Sequence, residues 1–135
     1  MALVGLCTPN WGLIAPDFYQ SVLGMQNQFR QHQFLHVEIG MQIVGKARND
    51  LVKTALGANV DVIWFIDSDV LVPLNSGILI DQALKLGIVS GLYFGRRPPY
   101  TPQLYQRAKE KAYEVQEVYF SYTNNLLYWF IYSVK

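Results

Sequence analysis

Val62-Ile63-Trp64-Phe65-Ile66-Asp67-Ser68-Asp69 is the stretch on which the fold turns. Its first five residues are apolar and all β-branched or aromatic, and Asp61 and Asp67 bound them. A short run of this kind reads as a strand buried on both faces. Such a strand belongs inside a sheet that helices cover on either side, so strand and helix should alternate around it. Upstream they do. In the stretch Lys46 to Leu56, Ala47, Leu51 and Ala55, with Ala58 beyond, share one helical face, and Gly57 and Asn59 act as stop signals. Phe34 to Ile39, closed by Gly40, reads as a strand. Pro16-Asp17 can open a helix whose apolar stripe is Phe18, Val22, Met25 and Phe29. Ala2 to Cys7 is a further buried strand, ended by Thr8-Pro9-Asn10. Downstream, Asn75 or Ser76 caps a helix that runs to Leu86 and stops at Gly87. Ile88 to Phe94 is a strand, followed by the loop Gly95-Arg96-Arg97-Pro98-Pro99.

This order predicts a three-layer α/β/α fold around a mostly parallel central sheet. The core is expected over residues 1–102, and residues 103–135 extend the same domain. Gln103 to Glu114 reads as a polar helix. The aromatic-rich end, Tyr119 to Tyr132, reads as two strands around Thr123-Asn124-Asn125.

Composition narrows the possible functions. At 135 residues there is room for one domain, and a hydrophobic fraction of 51% is too high for a disordered segment. Eleven Lys and Arg against ten Asp and Glu leave a net charge of +1, which argues against binding nucleic acid through a broad basic face and leaves a local basic pocket open. A lone cysteine, Cys7, excludes an internal disulfide framework and a cysteine-based zinc cage. Met1 to Cys7 lacks the basic leader and cleavage site of a signal peptide. Leu126 to Val134 is far short of the roughly 20 residues of a membrane span. A cytoplasmic location is therefore expected.

Chemistry concentrates where strands end. Asp67 and Asp69 stand one residue apart at the end of the buried strand. Two such carboxylates repel each other and are costly to desolvate unless something positive lies between them. Hard oxygen ligands of this kind suit Mg²⁺ or Mn²⁺, which also take phosphate oxygens. The same tripeptide also fits a turn whose short polar side chains bond local backbone.

The stretch Gly45-Lys46-Ala47-Arg48-Asn49-Asp50, then Asp67-Ser68-Asp69 after its apolar strand, then Ile88 to Phe94, resembles the GT-A fold nucleotide-sugar glycosyltransferases (family-2-like) over roughly Leu3 to Pro102. The resemblance implies a metal-dependent transfer of a sugar from a nucleotide diphosphate donor, UDP-sugar or similar, to a saccharide, protein or lipid acceptor. It places Mn²⁺ or Mg²⁺ on Asp69 and Asp67, with Asp67 also at the ribose or bridging through water. Thr8, Pro9 and Asn10 would form the loop near the base, Glu38 would face the nucleoside, and Arg48 would lie near the uracil or the phosphates. Arg48 also fits a surface helix position, paired with Asp50 or Glu38, and Glu38 a solvated carboxylate at the edge of its strand. Arg96 and Arg97 fit either phosphate steering or an ordinary loop.

GT-A enzymes usually carry a second half that supplies the acceptor site, often with a catalytic base and a histidine ligand. Beyond Asp81 the carboxylates are Glu110, Glu114 and Glu117, and no histidine follows His36. No catalytic base is assigned. The chain reads as a minimal enzyme, a truncated one, or a non-catalytic nucleotide-sugar binding module. His32 and His36 read as structural, and Cys7 as a buried hydrophobe. The terminal aromatics suit an acceptor platform, a core, or a contact between copies of the chain.

Three rival motifs fit less well. Gly40 to Ala47 nearly matches a phosphate-binding P-loop, but Ala47 stands where a hydroxyl should hold Mg²⁺. Asp67-Ser68-Asp69-Val70 brushes against the haloacid dehalogenase-like phosphatases, which carry that motif on their first strand. Nucleotidyltransferases usually have a glycine-rich loop after the first strand, and Thr8 to Gly12 holds one glycine.

Overall fold

The computed structural model describes residues 1–10, 12 and 14–91, together with the backbone of residues 106–107, 113–114 and 130–133. The elements are β1 (Leu3–Asn10), α1 (Pro16–Gln28), β2 (Gln33–Gly40), α2 (Val44–Gly57), β3 (Val62–Phe65), α3 (Ile78–Leu86), β4 (Ile88–Ser90), β5 (Gln106–Arg107), β6 (Tyr113–Glu114) and β7 (Phe130–Ser133). Five of the strands form a sheet in the order β2-β1-β3-β7-β4. β1 pairs in parallel with β2 and with β3, while β7 is antiparallel to both β3 and β4. Among the described residues this is an α/β arrangement in which β4 runs the same way as the parallel trio and β7 is opposed.

Side-chain alternation along the strands divides the core in two. Val4, Leu6, Val62, Trp64 and Ile66 face one side, where they pack with Phe18, Val22 and Met25 of α1 and Ile80 and Ala83 of α3. Cys7 and Ile63 face the other side, with Val37 of β2 and Leu51 and Ala55 of α2. The crossovers through α1 and α2 step in opposite directions along the sheet. A constant crossover hand then places these two helices on opposite faces. α3 returns to the α1 face, so the step from β3 to β4 across β7 has the opposite hand to the first two.

Several boundaries differ from the sequence expectation, each for a local reason. β1 does not stop at Thr8 but pairs with β2 as far as Asn10↔Gly40. Pro9 is tolerated because its nitrogen faces the same side as the Cys7 carbonyl. That carbonyl takes the Ile66 N–H at 2.9 Å, and β3 has ended at Phe65, so no ladder bond is lost. α2 starts at Val44 rather than Lys46, its first turn closed by Ala47 N–H donating to the Ile43 carbonyl at 2.9 Å.

Neither Asn75 nor Ser76 caps α3. Its N-cap is Gly77, and the Ser76 hydroxyl instead donates to the Pro73 carbonyl at 2.7 Å. Gly87 ends the helix with φ +85°, a conformation that favours glycine. β4 is described only to Ser90. In place of the helix expected over 103–114, Gln106–Arg107 and Tyr113–Glu114 pair as short antiparallel strands. The remainder of that segment lies outside the described residues. So do Arg96, Arg97, the loop 95–99, the turn at 123–125 and the side chains of the terminal aromatics.

No helix among the described residues is long and apolar enough to cross a membrane. Cys7 is fully buried, and burial pushes its thiol from 9.0 up to about 12. That rise leaves roughly a thousandth as much thiolate at pH 8, where the thiolate is the reacting species. Native protein should therefore resist a thiol reagent at pH 8 and react stoichiometrically once unfolded in denaturant. Absorbance of the released chromophore reads both, and fast labelling without denaturant would contradict the burial.

Candidate functional site

Chain reversal makes a crevice in this sheet. From β1 the chain passes to β2 on one side, whereas β3 lies on the other side and leads onward to β4. The carboxyl ends of β1 and β3 thus flank a topological switch point, where doubly wound sheets bind ligands. A cleft of about 210 Å³ opens there, lined by Pro9, Asn10, Gln42, Val44, Arg48, Asp67, Ser68 and Asp69.

β1 supplies Pro9 and Asn10. Asn10 Oδ1 accepts the Gly12 N–H at 2.9 Å, and a Cβ at Gly40 would stand 2.8 Å from that same oxygen. Glycine at the end of β2 therefore lets the Asn10 side chain lie where it does. Next, Met41 takes φ +56°, an uncommon conformation for a residue with a side chain, and turns the chain into α2. α2 brings Arg48, one helical turn past Val44, over the end of β3. The Arg48 guanidinium carbon stands 5.7 Å from the centre of the Phe65 ring, within cation–π range. Arg48 Nη2 lies 3.4 Å from Asp67 Oδ1, a long charge-assisted hydrogen bond. Arg48 Nε is buried and has no hydrogen-bond partner among the described residues.

Of the residues expected at the site, Pro9, Asn10, Arg48, Asp67 and Asp69 meet in this cleft, and Thr8 and Glu38 do not line it. Thr8 is buried within β1, in register with Glu38 of β2. Glu38 is exposed, and its Oε1 accepts the Tyr19 hydroxyl at 2.8 Å. That hydrogen bond raises the Tyr19 phenol above its ordinary pKa, with smaller contributions from burial and from the Glu38 charge. Gln42, Val44 and Ser68 line the cleft without having been singled out. Ser68 was legible as the middle of the acidic tripeptide, but nothing local marks Gln42 or Val44. Phe65 gains its role beneath Arg48 only from the placement of α2.

The histidines sit elsewhere. His32 is buried, with Nε2 3.4 Å from Asp81 Oδ1 of α3. His36 Nε2 shares a 2.7 Å hydrogen bond with Gln26 Nε2. Burial lowers the His36 pKa, and the nearby Glu38 charge opposes that shift. The P-loop-like stretch makes no phosphate cradle. Its β2-to-α2 link is residues 41–43, and Lys46 donates to Gln42 Oε1 and Asp50 Oδ2, each at 3.1 Å.

Asp67 and Asp69 are both exposed at the cleft. No cluster of three or more His, Cys, Asp or Glu suited to a metal occurs among the described residues, so the described residues alone do not build an all-protein metal cage around the pair. Two carboxylates do fit Mg²⁺ or Mn²⁺, ions that keep several waters and commonly complete their shell with substrate phosphate. With Arg48 beside them, the cleft combines hard anionic ligands with a guanidinium able to grip a phosphate in two-pronged fashion. Comparison with known protein families, with curated proteins and with solved structures finds no match to this chain.

Proposed function

We propose that this chain binds a nucleotide diphosphate sugar with Mn²⁺ or Mg²⁺ and acts as a glycosyltransferase of the GT-A type. One observation carries the reading. The carboxylates of Asp67 and Asp69 share a switch-point cleft with Asn10 and with Arg48, which is already seated on Phe65. A strand-end turn of purely structural purpose would not require an arginine from a separate helix to converge on it.

In this reading Asp67 and Asp69 hold the cation. Arg48 contacts the diphosphate, and Pro9 and Asn10 form the wall against which the nucleoside lies. When bound, the cation offsets charge on the departing nucleoside diphosphate. Asp67, Asp69 and Arg48 fix the donor's orientation, which matters for any transfer step. Thr8 and Glu38 act only at a distance, through the β1–β2 ladder and the Tyr19 hydrogen bond.

Calorimetric titration with UDP, with and without Mn²⁺, tests the proposal. Binding should require Mn²⁺. A donor-hydrolysis assay on the same sample then separates transferase from binding module: release of UDP from UDP-sugar supports the enzyme, and metal-dependent binding without turnover supports the module. Metal-independent binding, or none, would remove both.

A further inference from the structure

Arg48 stands in an unusual position for a phosphate-gripping residue, because it already has an anionic partner. Its Nη2 lies 3.4 Å from Asp67 Oδ1, one of the oxygens that the proposed cation would use. The two side chains are about half exposed, at 44% and 52%, so the pair is held in a wet cleft, where an ion pair is worth little. The contact is also longer than a good N–H to carboxylate bond, so it should yield to a stronger partner. The Phe65 ring meanwhile lies beneath the guanidinium, 5.7 Å from its carbon to the ring centre, and Arg48 Nε lacks a hydrogen-bond partner among the described residues. The group is thus placed in advance with donor capacity in reserve.

We propose that Arg48 is the resident counter-ion of Asp67 in the ligand-free protein and transfers to the donor's phosphates when a divalent cation takes that carboxylate. This inference rests on the reading of the cleft given above and adds an order to it. A cation arriving alone must displace a positive group already beside its ligand, and one arriving with a diphosphate offers that group a new partner. Metal alone should therefore bind weakly, and metal and nucleotide should each strengthen the other. No covalent step is involved; the exchange is one of ion-pair partners.

The test uses the full chain and its Arg48→Gln and Arg48→Lys variants, with far-UV circular dichroism to show that all three are folded. Free Mn²⁺ is followed by electron paramagnetic resonance in titrations without nucleotide, and UDP binding is measured by calorimetry at saturating Mn²⁺. Arg48→Gln should bind Mn²⁺ alone about 2- to 5-fold more tightly than the parent protein, the range expected for losing one exposed charge pair. It should bind UDP at least about 10-fold more weakly, as expected for a lost charged hydrogen bond. Arg48→Lys retains the charge and should stay near the parent protein for Mn²⁺ alone, yet lose part of the UDP affinity. If the parent protein binds UDP with Mn²⁺ but Arg48→Gln leaves Mn²⁺ affinity unchanged or lowers it, the counter-ion role is overturned and the cleft reading survives. If the parent protein binds neither, both fall together.

Discussion

Replacing Asp67 and Asp69 together by asparagine should abolish Mn²⁺-dependent UDP binding, weakening it by at least about 100-fold, or roughly 3 kcal/mol. The change preserves side-chain size and keeps two oxygens in place, but it removes both negative charges that a hard cation needs. Stability should hardly move. Both side chains are exposed, and the Arg48–Asp67 ion pair is worth about 1 kcal/mol or less at such a site, so the loss of binding should far exceed any loss of stability. Calorimetry beside a thermal melt separates the two effects. Retention of UDP affinity within about 3-fold of the parent would show that the acidic tripeptide is only a turn. The single variants are informative as well. Asp69→Asn leaves the Arg48–Asp67 pair in place, whereas Asp67→Asn removes the charge that Arg48 faces and so disturbs two parts of the cleft at once.

The second large effect lies under the site. Trp64 of β3 is completely buried and packs in the cluster that α1 and α3 cover. Cutting it to alanine removes the largest side chain of that layer and leaves a cavity beneath the two helices. The expected cost is about 3–5 kcal/mol, a large share of the stability of a domain this size. In a thermal melt that corresponds to a midpoint lower by roughly 10–20 °C. Trp64→Phe fills most of the space and should cost clearly less. Metal-dependent binding should fall with the folded fraction in Trp64→Ala and return at low temperature. A melt unchanged to within a few degrees would show that this layer is not packed as described.

These variants also mark how far the amino-acid order could be read. Phe18, Val22 and Met25 on α1, and Ala47, Leu51 and Ala55 on α2, were legible because a helix buries one face and the chain must repeat apolar residues at that spacing. β3 was legible because a strand covered on both sides has no polar positions to give. Its acidic end was conspicuous for the same reason, since polarity returns abruptly at Asp67. Less visible were points where two segments negotiate. β1 runs on through Pro9 because β3 happens to stop at Phe65. Ser76 spends its hydroxyl on Pro73, so Gly77 caps α3. The polar stretch 103–114, read as a helix, holds two short paired strands.

Placement of the site followed the same division. The residue types of an anion-and-cation site were present in the string, but membership was not. Glu38 and Pro9 both sit near the ends of adjacent strands, yet Pro9 lines the cleft while Glu38 is engaged by Tyr19. Local chemistry determined which segments are strands and helices and where polarity gathers, because periodicity and turn residues act over a few positions. Only the folded chain decided that β1 and β3 lie side by side, that β7 enters between β3 and β4, and that Arg48 rests on Phe65 beside Asp67. Those contacts join residues far apart in sequence, and their energies depend on the shape of the whole sheet rather than on any neighbouring residue.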